Sequence, residues 1–230
     1  QFGPTEAQFA EAAVSCRAWA SQHPKAQMRD LISVEDVMNS RAIADPLKVL
    51  DCSLVSDGGA AVVITRKDRA KDGPHKPVTL LGYGEGHSYE HISQAKDLTT
   101  SAAVQSGRAA YAEAGLTPDD IDLLQLYDCF TPALLMQIED LGFCGKGEGG
   151  AWLASGISRP GGSKPMNTHG GMLSYCHPGN PGAMFGLTEA ITQMRGDAGE
   201  RQLPNMRTTL CHAQGGIMSS HATIILGVED

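Results

Sequence analysis

Apolar and small residues first recur at helical spacing between positions 5 and 22, where Phe9, Ala13, Cys16 and Ala20 share one face. Thr5 with Gln8 three residues on forms a capping-box signature at the start of this stretch, and His23-Pro24 ends it. Ser33 and Asp36 repeat the signature ahead of a short predicted helix over 34–40. Beyond residue 50 the period shortens. A diglycine turn leads into Ala60–Thr65, a run rich in β-branched residues and short enough for a strand covered on both faces. Residues 77–86 read as a second strand entering a glycine-rich loop.

Residues 100–114 then predict a helix closed by Gly115, and Thr117-Pro118-Asp119-Asp120 starts another with proline at its first position. A third strand covers 121–130, followed by a helix over 132–141 closed by Gly142. Residues 145–171 are glycine-rich without periodicity and read as loop. A helix from Pro181 or Ala183 to Met194 and two strands, 207–216 and 220–227, complete the chain. No internal repeat is present, and the alternation of strands and helices predicts an α/β layer architecture.

With 230 residues the chain is long enough for one large domain or two small layers sharing a core. The formal charge of −8 and the lack of a basic run exclude a nucleic-acid surface as the main role, but leave room for an anionic cofactor at a local patch. Six scattered cysteines with no CxxC pair point away from structural zinc and a disulfide scaffold, and toward a reduced cytoplasmic chain. No apolar run reaches membrane-spanning length, and no signal peptide is expected ahead of the first helix. The chain begins at Gln1, almost directly on a helix signal, which suggests a larger protein cut at that point.

Titratable groups gather at the ends of the apolar segments. His87, Glu90 and His91 do not have the order of a HExxH zinc site, and no metal is expected. Tyr127, Asp128 and Phe130 close the predicted central strand, and loops at the carboxyl ends of strands line the ligand crevice of open α/β sheets. In 167–186, Gly170 and Gly171 let the backbone approach a ligand, and Pro178-Gly179 fixes His177 at the mouth of the next helix. Cys211 and His212 end a strand before Gly215 and Gly216, whose N–H groups are the raw material of an oxyanion hole.

These residues together resemble the thiolase superfamily, close to the sterol-carrier-protein-type thiolases. The segments that carry the likeness are "DPLKVLDCSLVSDGGAAVVIT", "DLTTSAA", "LYDCFT", "EDLGFCGKGEGG", "NTHGGMLSYCHPG" and "SSHATIILG". The resemblance implies a mixed β-sheet with helices on both faces, corresponding to the second half of the thiolase fold plus the end of the first. In domain terms it implies a helical loop-domain remnant at 1–50, the last strand of the N-terminal half at 51–75 and the C-terminal thiolase domain at 76–230. The sheet would be completed by further chain or by a partner. The nucleophilic cysteine of the family would precede Gln1, so none of the six cysteines takes that role.

Position by position, His177 matches the histidine of the family's GHP motif, which activates the nucleophile and helps bind the thioester oxygen. Cys176 stands where that motif has glycine. Tyr127 stands where thiolases have asparagine and sterol-carrier-type enzymes histidine. Cys211 and His212 lie near the loop whose cysteine serves as acid/base, with the register open. Aldolases of the superfamily that shorten CoA-linked steroid side chains are similar in two tyrosines, matched by Tyr127 and Tyr175, but lack a proline after the histidine, whereas Pro178 is kept here.

The first expectation is therefore a thiolytic or Claisen-type acyltransferase acting on a coenzyme A thioester as substrate, with no bound cofactor. Tyr127, Tyr175, His177, Cys211 and His212 would be its catalytic set, converging in one pocket. Asp128, Phe130, Gly170, Gly171, Cys176, Gly215 and Gly216 would line the substrate. A retro-aldolase using Tyr127 and Tyr175 is the second expectation, and a non-catalytic acyl-CoA-binding subunit the third. By the same resemblance the complete protein would be a homodimer, with an OB-fold/zinc-ribbon acyl-CoA-binding protein as a candidate partner, and this fragment alone would be inactive.

Overall fold

The computed structural model describes residues 2–228. In chain order the helices and strands are α1 (Glu6–Ala20), α2 (Val34–Met38), β1 (Ala42–Ala44), β2 (Leu47–Lys48), α3 (Lys67–Ala70), β3 (Thr79–His87), α4 (Ala103–Ala114), β4 (Leu123–Gln125), α5 (Thr131–Asp140), α6 (Gly149–Ala154), α7 (Gly171–Ser174), α8 (Gly182–Arg195), β5 (Thr208–Gly215) and β6 (Ser220–Gly227). No described helix is long and apolar enough to cross a membrane.

The capping box of α1 forms as the sequence requires: Gln8 N donates to the Thr5 hydroxyl at 3.2 Å, and Thr5 N donates to Gln8 Oε1 at 2.9 Å. Ser33 and Asp36 cap α2 in the same way. α1 is buried around most of its circumference, by Ala10, Ala12, Ala13, Cys16 and Trp19, and packs against α2, α5, α6 and α7. Small side chains let those helices approach it closely. Its polar residues are satisfied: Ser15 bonds Ser158 at 2.8 Å, and Arg17 Nε donates to the Ser174 hydroxyl at 2.9 Å.

The main sheet has the order β3-β6-β5-β4, antiparallel except for the parallel β4–β5 pair, so it is mixed. Gly82, Gly84 and Gly86 lie along one face of β3 because α4 is pressed onto that face. A β-carbon at these positions would overlap the carbonyl oxygens of Ala110, Ser106 and Ala102. α8 covers the opposite face of β4 and β5, where Leu123 and Cys211 pack with Ala190 and Met194.

Several expectations need correction. Residues 60–65 form no strand. They run without a sheet partner among the described residues, with Val63 95% and Ile64 90% exposed. The glycine-rich stretch at 82–86 is the body of β3, its glycines serving helix contact rather than a loop. The strand expected over 121–130 stops at Gln125, beyond which the side-chain amides of Asn167 and Gln137 replace strand partners. Thr117-Pro118 opens only a single 3-10 turn. The stretch 145–171 hides α6, whose Gly149 and Gly150 sit against Leu135 of α5 and Gln8 of α1.

Candidate active site

β4 ends at Gln125, and the chain from Leu126 to Phe130 leads from it into α5. The segment 172–178, most of α7 and the residues after it, lies beside this stretch, and residues 53–56 thread between the two. Ser53 N donates to Cys129 O at 2.9 Å, Leu54 N to Met172 O at 3.0 Å, and His177 N to the Ser56 hydroxyl at 2.8 Å. Three separate parts of the sequence therefore meet around one imidazole.

Tyr127 Oη lies 3.1 Å from His177 Nε2, and His177 Nδ1 lies 2.7 Å from the Ser53 hydroxyl. Burial lowers the pKa of His177 below its ordinary value, so the ring is held neutral near pH 7. Burial also raises the Tyr127 phenol, with the neighbouring Cys129 and Asp128 adding to the effect. A neutral imidazole with a phenol on one nitrogen and a hydroxyl on the other is a short proton path, Tyr127–His177–Ser53. The α8 helix starts beside it, with Gly182 against the His177 ring, where a β-carbon would meet Cδ2 at 2.8 Å.

Tyr175 faces elsewhere. Its ring is held by His23, His169 and Phe185 at centroid distances of 4.6, 5.4 and 5.7 Å. It lines a cavity of about 650 Å³ whose walls include the buried Glu189–Arg201 ion pair at 2.9 Å. Burial drives both histidines down to about 4. Burial also raises the Tyr175 phenol.

The remaining sequence candidates have other work. Asp128 is wholly buried and accepts from Met172 N at 2.8 Å, Leu173 N at 3.2 Å and the Cys16 thiol at 3.4 Å. Burial pushes its carboxyl up to about 6 against these bonds. It ties α7 and α1 to the end of β4, and its oxygens are spent on that. Gly170 and Gly171, both at positive φ, make room for Ala20 and for the Asp128 carboxylate rather than for a ligand. Phe130 is part exposed at the start of α5, and Cys176 is half-buried, its thiol raised by burial to about 11.

Positions 211 and 212 are not a loop. Cys211 sits inside β5 against α8, its thiol pushed up by burial to about 12. His212 points to the α4 side, bonding Thr223 at 2.8 Å and His221 at 3.0 Å, with its pKa driven down to about 3 by burial. Thr223 in turn bonds Ser106 of α4 at 2.8 Å. The turn that joins β5 to β6 comes four residues later, and Gly215 and Gly216 are exposed there. The structure thus brings Tyr127 and His177 into contact and leaves Cys211, His212 and the glycine pair outside that contact.

Sequence reasoning missed Ser53, Ser56, Gln137 and Gln214. The first two are ordinary serines on either side of an apolar dipeptide and carry no signal. Gln137 offered one: the single amide in a predicted helix whose buried residues are mostly apolar. Among the described residues, His87 bonds Ser220, His91 caps its own turn, and no group of His, Cys, Asp and Glu is arranged to hold a metal ion.

A family model described as thiolase C-terminal domain-like matches residues 84–228. An acetyl-CoA acetyltransferase of Methanothermobacter thermautotrophicus is 37% identical over 94% of this chain and 57% of its own length. A steroid side-chain-cleaving aldolase of Thermomonospora curvata is 37% identical over 100% of this chain and 59% of its own. The solved structure described as "Ltp2-ChsH2(DUF35) aldolase" superposes with a TM-score of 0.91 at 37% identity, covering 99% of this chain and 59% of that one. The chain therefore spans under three-fifths of the length of each of these relatives.

Proposed function

This chain belongs to the thiolase superfamily, and on that premise we propose that the complete protein acts on a carbon–carbon bond beside a coenzyme A thioester, by retro-aldol cleavage of a β-hydroxyacyl-CoA. The observation that carries this reading is the 3.1 Å hydrogen bond between the Tyr127 phenol and a neutral His177. In such a cleavage the substrate hydroxyl gives its proton to Tyr127 Oη while Tyr127 passes its own to His177 Nε2. The Cα–Cβ bond then breaks, its electron pair leaving as the thioester enolate and the former hydroxyl carbon becoming a ketone or aldehyde. A phenol with a raised pKa is a poor base alone. The imidazole behind it removes the need to form a free phenolate, and Ser53 receives the Nδ1 hydrogen of the same tautomer. Tyr175, the second phenol expected from the sequence, lines the neighbouring cavity and takes no part in these steps.

Thiolytic or Claisen acyl transfer is the second reading. It is favoured by Pro178 directly after His177 and by the acetyltransferase relative. It requires a thiolate, and all six cysteines of this chain have pKa values raised by burial, so the nucleophile would come from outside it. A non-catalytic acyl-CoA-binding role is the reading left if neither chemistry is found.

In domain terms the proposal takes 76–230 as the C-terminal thiolase domain, 51–75 as the end of the first half and 1–50 as loop-domain material, supported by the family match from residue 84. A homodimer in the cytoplasm, assembled with an acyl-CoA-binding protein of the OB-fold/zinc-ribbon kind, is part of the same proposal. The solved aldolase, whose name joins two components, supports the partner.

The test is incubation of the complete protein with a β-hydroxyacyl-CoA, followed by mass analysis of products and of the intact protein. Release of a ketone or aldehyde with a shortened acyl-CoA, and no acyl adduct, is the expected result. A stable acyl-enzyme without carbonyl release would replace this reading with the second.

A further inference from the structure

The backbone of Tyr127 is not held by the sheet. β4 pairs with β5 only through Leu123–Thr209, Leu124–Leu210 and Gln125–Cys211. Past Gln125, two side-chain amides take over from strand partners. Asn167 serves Leu126: its Oδ1 accepts from Leu126 N at 2.8 Å and its Nδ2 donates to Leu126 O at 3.0 Å. Gln137, on α5 and 1% exposed, does the same for Tyr127: its Oε1 accepts from Tyr127 N at 2.9 Å and its Nε2 donates to Tyr127 O at 2.7 Å.

A residue in extended backbone shows its N–H and C=O on one edge, and a primary carboxamide is the side-chain group that meets both at once. Among the described residues no other hydrogen bond to the Tyr127 backbone is made. The clamp is itself braced. Gln137 Nε2 also donates to Ala133 O one turn back at 3.1 Å, which uses its second hydrogen. Gln214 of β5 approaches from the far side, 3.4 Å from Nε2, and donates through its own amide to the Cys129 thiol at 3.3 Å.

We infer that Gln137 is a positioning residue for the reaction: it fixes the backbone of Tyr127, in place of a sheet partner, so that the phenol meets His177. The inference rests on the reading of Tyr127 as a reacting group. It extends the proton path one step inward, from the phenol to the amide that sets its position. A reacting group displaced by about 1 Å loses on the order of 10²-fold in rate, so a clamp on its backbone is a determinant of kcat rather than of substrate affinity.

The test uses the complete protein labelled with 3-fluorotyrosine, the Tyr127 fluorine resonance being assigned by Tyr127→Phe. Gln137→Met keeps the volume and removes both bonds. Gln137→Glu keeps the acceptor and removes the donor, and it carries the test alone if the methionine variant does not fold. Gln193→Met is the matched control: Gln193 clamps Leu203 N at 3.0 Å and Arg201 O at 2.9 Å in the same manner at another place. In wild type the Tyr127 line should follow the titration of His177, 3.1 Å away. In both Gln137 variants that response should be lost or weakened, with kcat down at least about 10-fold and KM changed by less than about 3-fold. Gln193→Met should lower Tm while leaving the Tyr127 line in place. A Tyr127 line and a kcat unchanged in the Gln137 variants, with only Tm reduced, would overturn the inference. A wild type that cleaves no β-hydroxyacyl-CoA, with the Tyr127 line still displaced in the variants, would instead overturn the functional reading and leave the clamp.

Discussion

The Tyr127 phenol oxygen lies 3.1 Å from His177 Nε2, and the two rings meet nearly edge-on at 86°. Either neutral tautomer of the imidazole satisfies both of its bonds. With the phenol donating to Nε2, the Nδ1 hydrogen goes to Ser53 Oγ at 2.7 Å. Each of these three groups comes from a different part of the chain, so the path exists only in the folded state.

His177→Asn tests whether the imidazole does chemistry. The amide fills much of the same space but cannot take a proton. General acid–base catalysis contributes roughly 10²–10⁴-fold, so turnover of the complete protein should fall at least about 10²-fold, with Tm nearly unchanged. A loss of less than about 10-fold on folded protein would make the residue structural.

The pH profile gives an independent check. The proton path needs His177 neutral, and burial lowers its pKa below the ordinary 6.5. The neutral form is therefore kept as pH falls past that value, and the acid limb of kcat should have its midpoint below 6.5. A midpoint above 6.5 would require a nearby anion that the described residues do not place there.

The elements that were legible in the sequence are those whose local chemistry decides them. Thr5–Gln8 and Ser33–Asp36 fix two helix starts, and Gly115 ends α4 in the left-handed conformation at φ 66°. The meeting of 127 and 177 was legible in their shared placement at strand ends beside glycines and in the family likeness, although nothing local links the two positions. What could not be read was decided at long range. Gly82, Gly84 and Gly86 look like a flexible loop until α4 is laid against them. The end of β4 was hidden because Asn167 and Gln137, 41 and 10 residues away from their targets, replace strand partners. Cys211 and His212 were misplaced because a strand and the loop after it share the same small residues, and the turn lies beyond Gly215.

Asp128 carries a stability prediction with a definite sign. Its carboxyl titrates at about 6 in the folded protein against an ordinary 3.8. The folded state therefore holds the proton more tightly, and Asp128's contribution to stability falls as pH rises from about 4 to about 6. The shift corresponds to roughly 3 kcal/mol. Asp128→Asn cannot titrate, so its stability relative to wild type should improve across that window, although it starts lower because an amide cannot accept all three donors. Urea unfolding at pH 4, 5, 6 and 7 measures the difference. A wild-type-minus-variant gap that is flat or opens with pH would refute the assignment.

Gly84→Ala tests the contact between β3 and α4. The new β-carbon would overlap Ser106 O and crowd Ala109 Cβ, and backbone on the helix side cannot rotate away. Overpacking of this kind costs about 1–3 kcal/mol, with a matching drop in Tm. The same change at Gly59, which has open space around its β-position, should be neutral to within about 0.5 kcal/mol.

Cys211→Ala separates the two chemical readings most directly. By resemblance to thiolases, a cysteine near this position is the acid/base of acyl transfer. Here the side chain lies inside β5, packed with Leu123, Ala190 and Met194 under α8, while Tyr127 packs with Cys129, Ala133 and Met172 in a separate cluster. Burial holds the thiol up at about 12, so it is a poor proton donor and carries almost no thiolate near neutral pH. Truncation to alanine in such a site removes one buried sulfur and leaves a small cavity, a loss of about 1–2 kcal/mol in stability. If the carbon–carbon step runs through Tyr127 and His177, kcat of the complete protein should stay within about 3-fold of wild type once folded. If Cys211 moves the proton at the α-carbon, kcat must fall by roughly 10²–10⁴-fold at unchanged KM. The measurement is kcat and Tm on the same preparation. A large fall in kcat with Tm intact would return Cys211 to the active site and acyl transfer to first place.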